Sequence, residues 1–128
     1  MAQPLLLDTD FLIDFLRGQA QAVTFMEEES RPMAVSALTV AELHAGVRDG
    51  EEKDQLAELL SLFTQIAVDS DTAAEGGLLR RDYGPSHGTG LIDAIVAASA
   101  LRHGLRLVTL NARHYPMLSG VIVPYRKR

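Results

Sequence analysis

Asp8, Glu42 and Asp93 are the residues of this chain whose type and setting best suit chemistry. Asp8 closes the apolar run PLLLD, Glu42 sits within SALTVAELHAG, and Asp93 lies near the start of LIDAIVAASA. A fold that gathers them builds a cluster of like charges. Two carboxylates roughly 5 Å apart at an effective dielectric of about 20 repel by around 3 kcal/mol. Such a cluster needs a proton or a cation. Oxygen ligands suit hard divalent ions, so Mg²⁺, with Mn²⁺ as a substitute, is the expected cofactor. Each acid also has a plain structural use. Asp8 can cap a helix, Glu42 can complete a capping box with Thr39, and Asp93 can serve the N-terminal amides of its own helix. Against these uses, Glu42 and Asp93 have apolar neighbours and few Arg residues nearby. A partly buried carboxylate without a partner is costly.

The elements that must position these acids follow from the apolar pattern. Five short runs read as strands: 4–8, 33–37, 65–69, 106–110 and 121–123. Helices are expected from Thr9 to Gly18, over 19–29, from Thr39 onward, over 51–63, over 70–83 despite Gly76 and Gly77, and over 91–103 ending at Gly104. GPSHGTG at 84–90 reads as a loop, and 112–118 as a short helical turn. Alternating strands and helices imply an α/β domain with a parallel sheet of about five strands, flanked by helices. Sites in such sheets lie outside the carboxyl ends of the strands. Asp8 and Asn111 fall at such ends. Asp93 reaches them only if the loop before it returns to the same edge.

Length and composition narrow the classes. A chain of 128 residues suits one domain, here 1–128. It has no Cys, which excludes disulfides and thiol chemistry and agrees with a cytoplasmic setting. No run is apolar enough to span a bilayer, and no signal peptide is expected. The net charge is −5, from 17 acidic and 12 basic residues, which argues against charge-driven nucleic-acid binding at large. Local contacts remain open. The basic residues are mostly Arg, which suits phosphate. Arg80, Arg81, Arg113 and the terminal YRKR are the candidates.

Taken together, LLLDTDFLIDFLRG, VSALTVAELHAGV and GLIDAIVAASALRHGLRLVTLNARHY resemble the PIN-domain ribonucleases of the VapC toxin type, in order and spacing, through nearly the whole chain. The resemblance implies a Mg²⁺- or Mn²⁺-dependent endoribonuclease acting as a toxin. By position, Asp8, Glu42 and Asp93 match the family's three central acids, with Asp8 and Asp93 as direct metal ligands and Glu42 ligating directly or through water. Thr9 and Thr109 match its small hydroxyl residues and are expected near substrate. Many members carry an aspartate after the fourth strand, where this chain has Asn111, a weaker ligand that can also cap a helix. Arg113 could steady a phosphate. His114 reads as a surface residue. The implied partners are RNA, a small antitoxin whose arm blocks the acidic site, and a second copy of the chain, with FLIDFL as candidate surface. Two alternatives stand beside this reading. One is a non-catalytic PIN-like binding module. The other is a phosphotransfer receiver, for which Asp69 could supply the aspartate but the required Lys is missing. An aspartate-nucleophile phosphatase built on Asp8-Thr9-Asp10 lacks a Lys and a cap.

Overall fold

The structure, a computed structural model, describes residues 3–126. The chain alternates as expected: β1 (Leu5–Leu7), α1 (Thr9–Leu16), α2 (Ala20–Glu28), β2 (Met33–Ser36), α3 (Ala37–Ala45), α4 (Glu51–Leu60), β3 (Thr64–Ile66), α5 (Ser70–His87), α6 (Leu91–His103) and β4 (Arg106–Val108). A 3-10 turn follows at Ala112–His114. The strands pair in parallel in the order β3-β2-β1-β4. From β1 the chain steps outward to β2 and β3. It then crosses back to place β4 on the other side of β1. The gap between the carboxyl ends of β1 and β4 is therefore the topological switch point, where open parallel sheets bind ligands.

Both faces of the sheet are covered, which is why β1 reads as an unbroken apolar run. Leu5, Leu7, Val35 and Val108 pack with Phe11 and Leu12 of α1, Leu43 of α3 and Leu56 and Leu60 of α4. Leu6, Ala34, Ile66 and Leu107 pack on the other side with Val96, Ala97 and Ala100 of α6 and with Tyr115. Within FLIDFL, Phe11 and Leu12 are fully buried in the core, Ile13 and Phe15 are partly buried, and Leu16 is exposed. α5 lies against α6, and Gly76 makes that possible. A Cβ there would come within 2.6 Å of Ile95 Cγ1 and 2.8 Å of Ile95 Cα.

Three local expectations are corrected. The fifth strand reduces to a single bridge between Ile122 and Val108, so the sheet has four strands. Pro124, which has no N–H to donate, ends the ladder at once. The 84–90 loop is shorter than expected, because α5 continues through Pro85 and ends at Gly88, whose φ is 66°. Pro85 lies in the last turn, where its missing N–H costs the helix one bond. The third helix opens earlier, on Ser36, whose side chain accepts from the Leu38 N–H. Thr39 is then inside the helix and buried, and Glu42 lies in the second turn. No capping box forms between them. Within YRKR, Tyr125 is buried and donates to Asp14 at 2.8 Å. Lys127 and Arg128 lie outside the described residues.

Candidate active site

Asp8 leaves β1 and caps α1, accepting from the Thr9 N–H at 2.9 Å. The helix-cap use is real, and it does not consume the carboxylate. Oδ2 also accepts from the Thr109 hydroxyl at 2.8 Å and the Tyr115 hydroxyl at 2.9 Å. Asp8 is only 7% exposed. Burial, and then the charge of Asp10, push its pKa up to about 6 against the pull of these donors. Asp10 was not expected here. Its carboxylate accepts from the Leu110 N–H at 3.1 Å and so ties the start of α1 to the end of β4.

Asp93 reaches the same edge because the α5–α6 connection is anchored there. The buried Thr89 hydroxyl donates to the His114 carbonyl at 2.7 Å. This pins the start of α6 to the turn after β4. Asp93 Oδ1 then lies 3.1 Å from the Tyr115 hydroxyl, and Oδ2 lies 3.1 Å from His114 Nδ1. Asp8 and Asp93 are therefore bridged by one tyrosine hydroxyl. Glu42 completes the edge from α3. It accepts from the Thr9 hydroxyl at 2.7 Å, and that hydroxyl also lies 3.0 Å from Thr39 Oγ1. The burial argument made from sequence for Glu42 and Asp93 fails for Glu42 and holds only in part for Asp93; the buried acid is Asp8. Glu42 is exposed and Asp93 half-exposed.

Asn111 joins the group without capping the 3-10 turn through its side chain. Its Nδ2 lies 3.0 Å from His114 Nδ1. One ring nitrogen cannot both donate to Asp93 and accept from this amide. With the Nδ1–H given to Asp93, Nε2, 3.4 Å from the same amide nitrogen, is the ring atom that can accept from Asn111. His114 is thus a member of the site and not a surface residue. Thr109, expected near substrate, is fully buried and instead holds Asp8 in place. Thr9 orients Glu42. Arg113 is exposed and outside the pocket lining. Tyr115 and Thr89 were missed, Asp10 was read only within the Asp8-Thr9-Asp10 alternative, and His114 was read as a surface residue. The hydroxyl of Tyr115, where an aromatic ring alone would satisfy the core, was the available signal.

These residues line a cavity of about 290 Å³, formed by Asp8, Thr9, Asp10, Ile13, Glu42, Asp93, Asn111, His114 and Tyr115. The lining holds four carboxylates and no Lys or Arg. A larger cavity of about 770 Å³ lies between α1, α3 and α4. It has no such convergence at the sheet edge, so size does not make it the site. Among the described residues, no group of three or more His, Asp or Glu forms a ready-made metal set. Asp8 and Asp93 share the Tyr115 hydroxyl, and Glu42, expected to ligate directly or through water, lines the same cavity beside them. The donor chemistry still fits Mg²⁺, which is commonly held by one or two carboxylates and keeps several waters.

The chain matches the PIN domain over residues 5–117 and belongs to that family. It is 37% identical over 127 residues to Ribonuclease VapC19 of Mycobacterium tuberculosis, covering 94% of this chain and 98% of that one. Ribonuclease VapC10 of the same organism is 35% identical over 124 residues, covering 94% and 92%. Among solved structures, a toxin–antitoxin complex from Klebsiella pneumoniae matches with a TM-score of 0.83 and 30% identity, covering 96% of this chain and 99% of that one. FitAcB from Neisseria gonorrhoeae matches with a TM-score of 0.74 and 29% identity, covering 94% and 97%. The receiver alternative fails on topology. β2 separates β3 from β1, and Asp69 caps α5 outside the pocket.

Proposed function

We propose that this protein is the ribonuclease toxin of a toxin–antitoxin pair and cuts RNA with Mg²⁺, or Mn²⁺ in its place. The observation that carries the reading is the meeting of Asp8, Asp93, Glu42 and Asn111 around one acidic pocket of a PIN domain whose lining has no Lys or Arg. An RNA phosphate cannot approach four carboxylates unaided. Asp8 and Asp93 would hold the cation. When bound, it lowers the pKa of the attacking water and neutralises charge on the phosphate. Glu42, exposed and aimed by Thr9, would be the carboxylate free to accept a proton or to hold the ion through water. The Asn111 amide donates to a phosphate oxygen. Tyr115 serves as a hydrogen-bond donor and not as a base, because burial and then the charges of Asp8 and Asp93 raise its pKa far above its ordinary value.

RNA is held outside the pocket by few cations. Arg113 and Arg80 are exposed, and Arg81 is paired with Asp82 at 2.8 Å. The antitoxin partner is supported by the relatives, whose solved forms include toxin–antitoxin complexes. An arm carrying Arg would complement the acidic pocket and exclude both metal and RNA. A homodimer would draw on exposed apolar residues: Leu78 of α5, Leu91 and Ile92 of α6, and Leu16 of α1. Among the described residues, no helix is long and apolar enough to cross a membrane. The test is cleavage of total cellular RNA with Mg²⁺, with Mn²⁺ and with chelator, followed by mapping of the ends. Loss of cutting in Asp93→Asn and with chelator is expected. A protein that binds Mn²⁺ but cuts no RNA would instead be the binding module.

A further inference from the structure

Tyr115 is 2% exposed, and its ring is locked among Leu6, Val96, Ala97 and Leu107. Its hydroxyl is thus a fixed point in the protein. That point lies 2.9 Å from Asp8 Oδ2 and 3.1 Å from Asp93 Oδ1. The three residues come from three elements: the end of β1, the first turn of α6 and the turn after β4. Core packing explains the ring but not the hydroxyl, since phenylalanine would fill the same apolar space. One hydroxyl carries one proton, and two carboxylates converge on it. The proton is given to one carboxylate or shared between the two, and the hydroxyl is the fixed point that both acids face.

It also decides which oxygens are left over. On Asp8, Oδ2 already accepts from Thr109 and Tyr115, while Oδ1 accepts from the Thr9 N–H. A carboxylate oxygen takes about two donors. Oδ1 is then the oxygen of Asp8 with capacity for a further ligand. On Asp93, Oδ1 faces Tyr115 and Oδ2 faces His114.

We propose that Tyr115 is a positioning residue whose hydroxyl sets the separation and orientation of Asp8 and Asp93, and thereby the affinity of the pocket for a divalent cation. The inference rests on the reading of this pocket as the metal site. Without the hydroxyl the two carboxylates relax apart, and a cation must first draw them together. Loss of an outer-shell partner of this kind typically weakens metal binding by about 10- to 100-fold.

The test is Tyr115→Phe in the full chain, with Mn²⁺ binding measured from the signal of the free ion. Tyr125→Phe is the control. It also removes a buried tyrosine hydroxyl from an aspartate, Asp14, but outside the pocket lining. The expected result is a dissociation constant for Mn²⁺ raised about tenfold or more in Tyr115→Phe, and unchanged in Tyr125→Phe. Cleavage by Tyr115→Phe should recover as Mn²⁺ is raised, which a purely structural defect would not do. Binding lost in Asp93→Asn but unaltered in Tyr115→Phe overturns the positioning role and leaves the metal site standing. No Mn²⁺ binding by the parent protein overturns the metal-site reading and the positioning role with it.

Discussion

Replacing Asp8 with Asn should abolish cleavage yet make the metal-free protein more stable at neutral pH. The reason is the position of Asp8, almost fully buried and beside Asp10. Its pKa rises from an ordinary 3.8 to about 6 in the folded protein. The folded state therefore binds the Asp8 proton more tightly than the unfolded state. Below pH 3.8 the group is neutral in both states and costs nothing. As pH rises from there to about 6, the unfolded chain gains the advantage of ionising and stability falls. Above pH 6 the penalty is complete. At about 1.4 kcal/mol per pH unit, it amounts to roughly 3 kcal/mol. Asn never ionises and avoids it. Asn also loses an acceptor facing the donors Thr9, Thr109 and Tyr115, at about 1 kcal/mol per bond that is not remade. The net expectation is a gain of about 1–2 kcal/mol at pH 8 and a small loss near pH 4. Urea unfolding of both proteins in chelator, across pH 4 to 8, measures this. A stability difference that stays constant across that range would refute the reasoning.

Gly76→Ala should destabilise by about 1–3 kcal/mol, because its Cβ strikes the Ile95 backbone. Gly77→Ala, where a Cβ meets nothing within 4 Å, should stabilise by about 0.5–1 kcal/mol. Thermal unfolding of the pair decides it. Thr89→Val keeps shape but strands the His114 carbonyl. It should cost about 1–3 kcal/mol in denaturant titrations and reduce cleavage by loosening Asp93. Arg113→Ala should weaken RNA binding modestly. Because few phosphates are neutralised, the parent's own salt dependence should be shallow, and titrations over a salt series would expose a steep one. An RNA hairpin should be cut in preference to a matched DNA hairpin, and equal cutting would remove the claim of RNA selectivity.

The chain's own pattern determined the class of fold. LLL at β1 and LV at β4 are apolar because both faces of the sheet are covered, and the alternation with helices implies parallel strands. It also marked Asp8, Glu42, Asp93 and Asn111, since charge and amide groups stand out at the ends of apolar runs. Strand ends were less legible. VIV at 121–123 has strand composition, yet Pro124 and the lack of a further neighbour leave it a single bridge. The pairing of Ser36 rather than Thr39 with the start of α3 depends on where β2 stops, which local propensity does not set. Only the tertiary structure brought Asp93 to the edge held by Asp8, through the Thr89 hydroxyl and the His114 carbonyl. Only there do Tyr115 and His114 become part of the site. Such contacts span separations of 25 residues for Thr89 and 107 for Tyr115. Periodicity reports which face of an element is buried, whereas the order of strands in the sheet decides which buried groups meet.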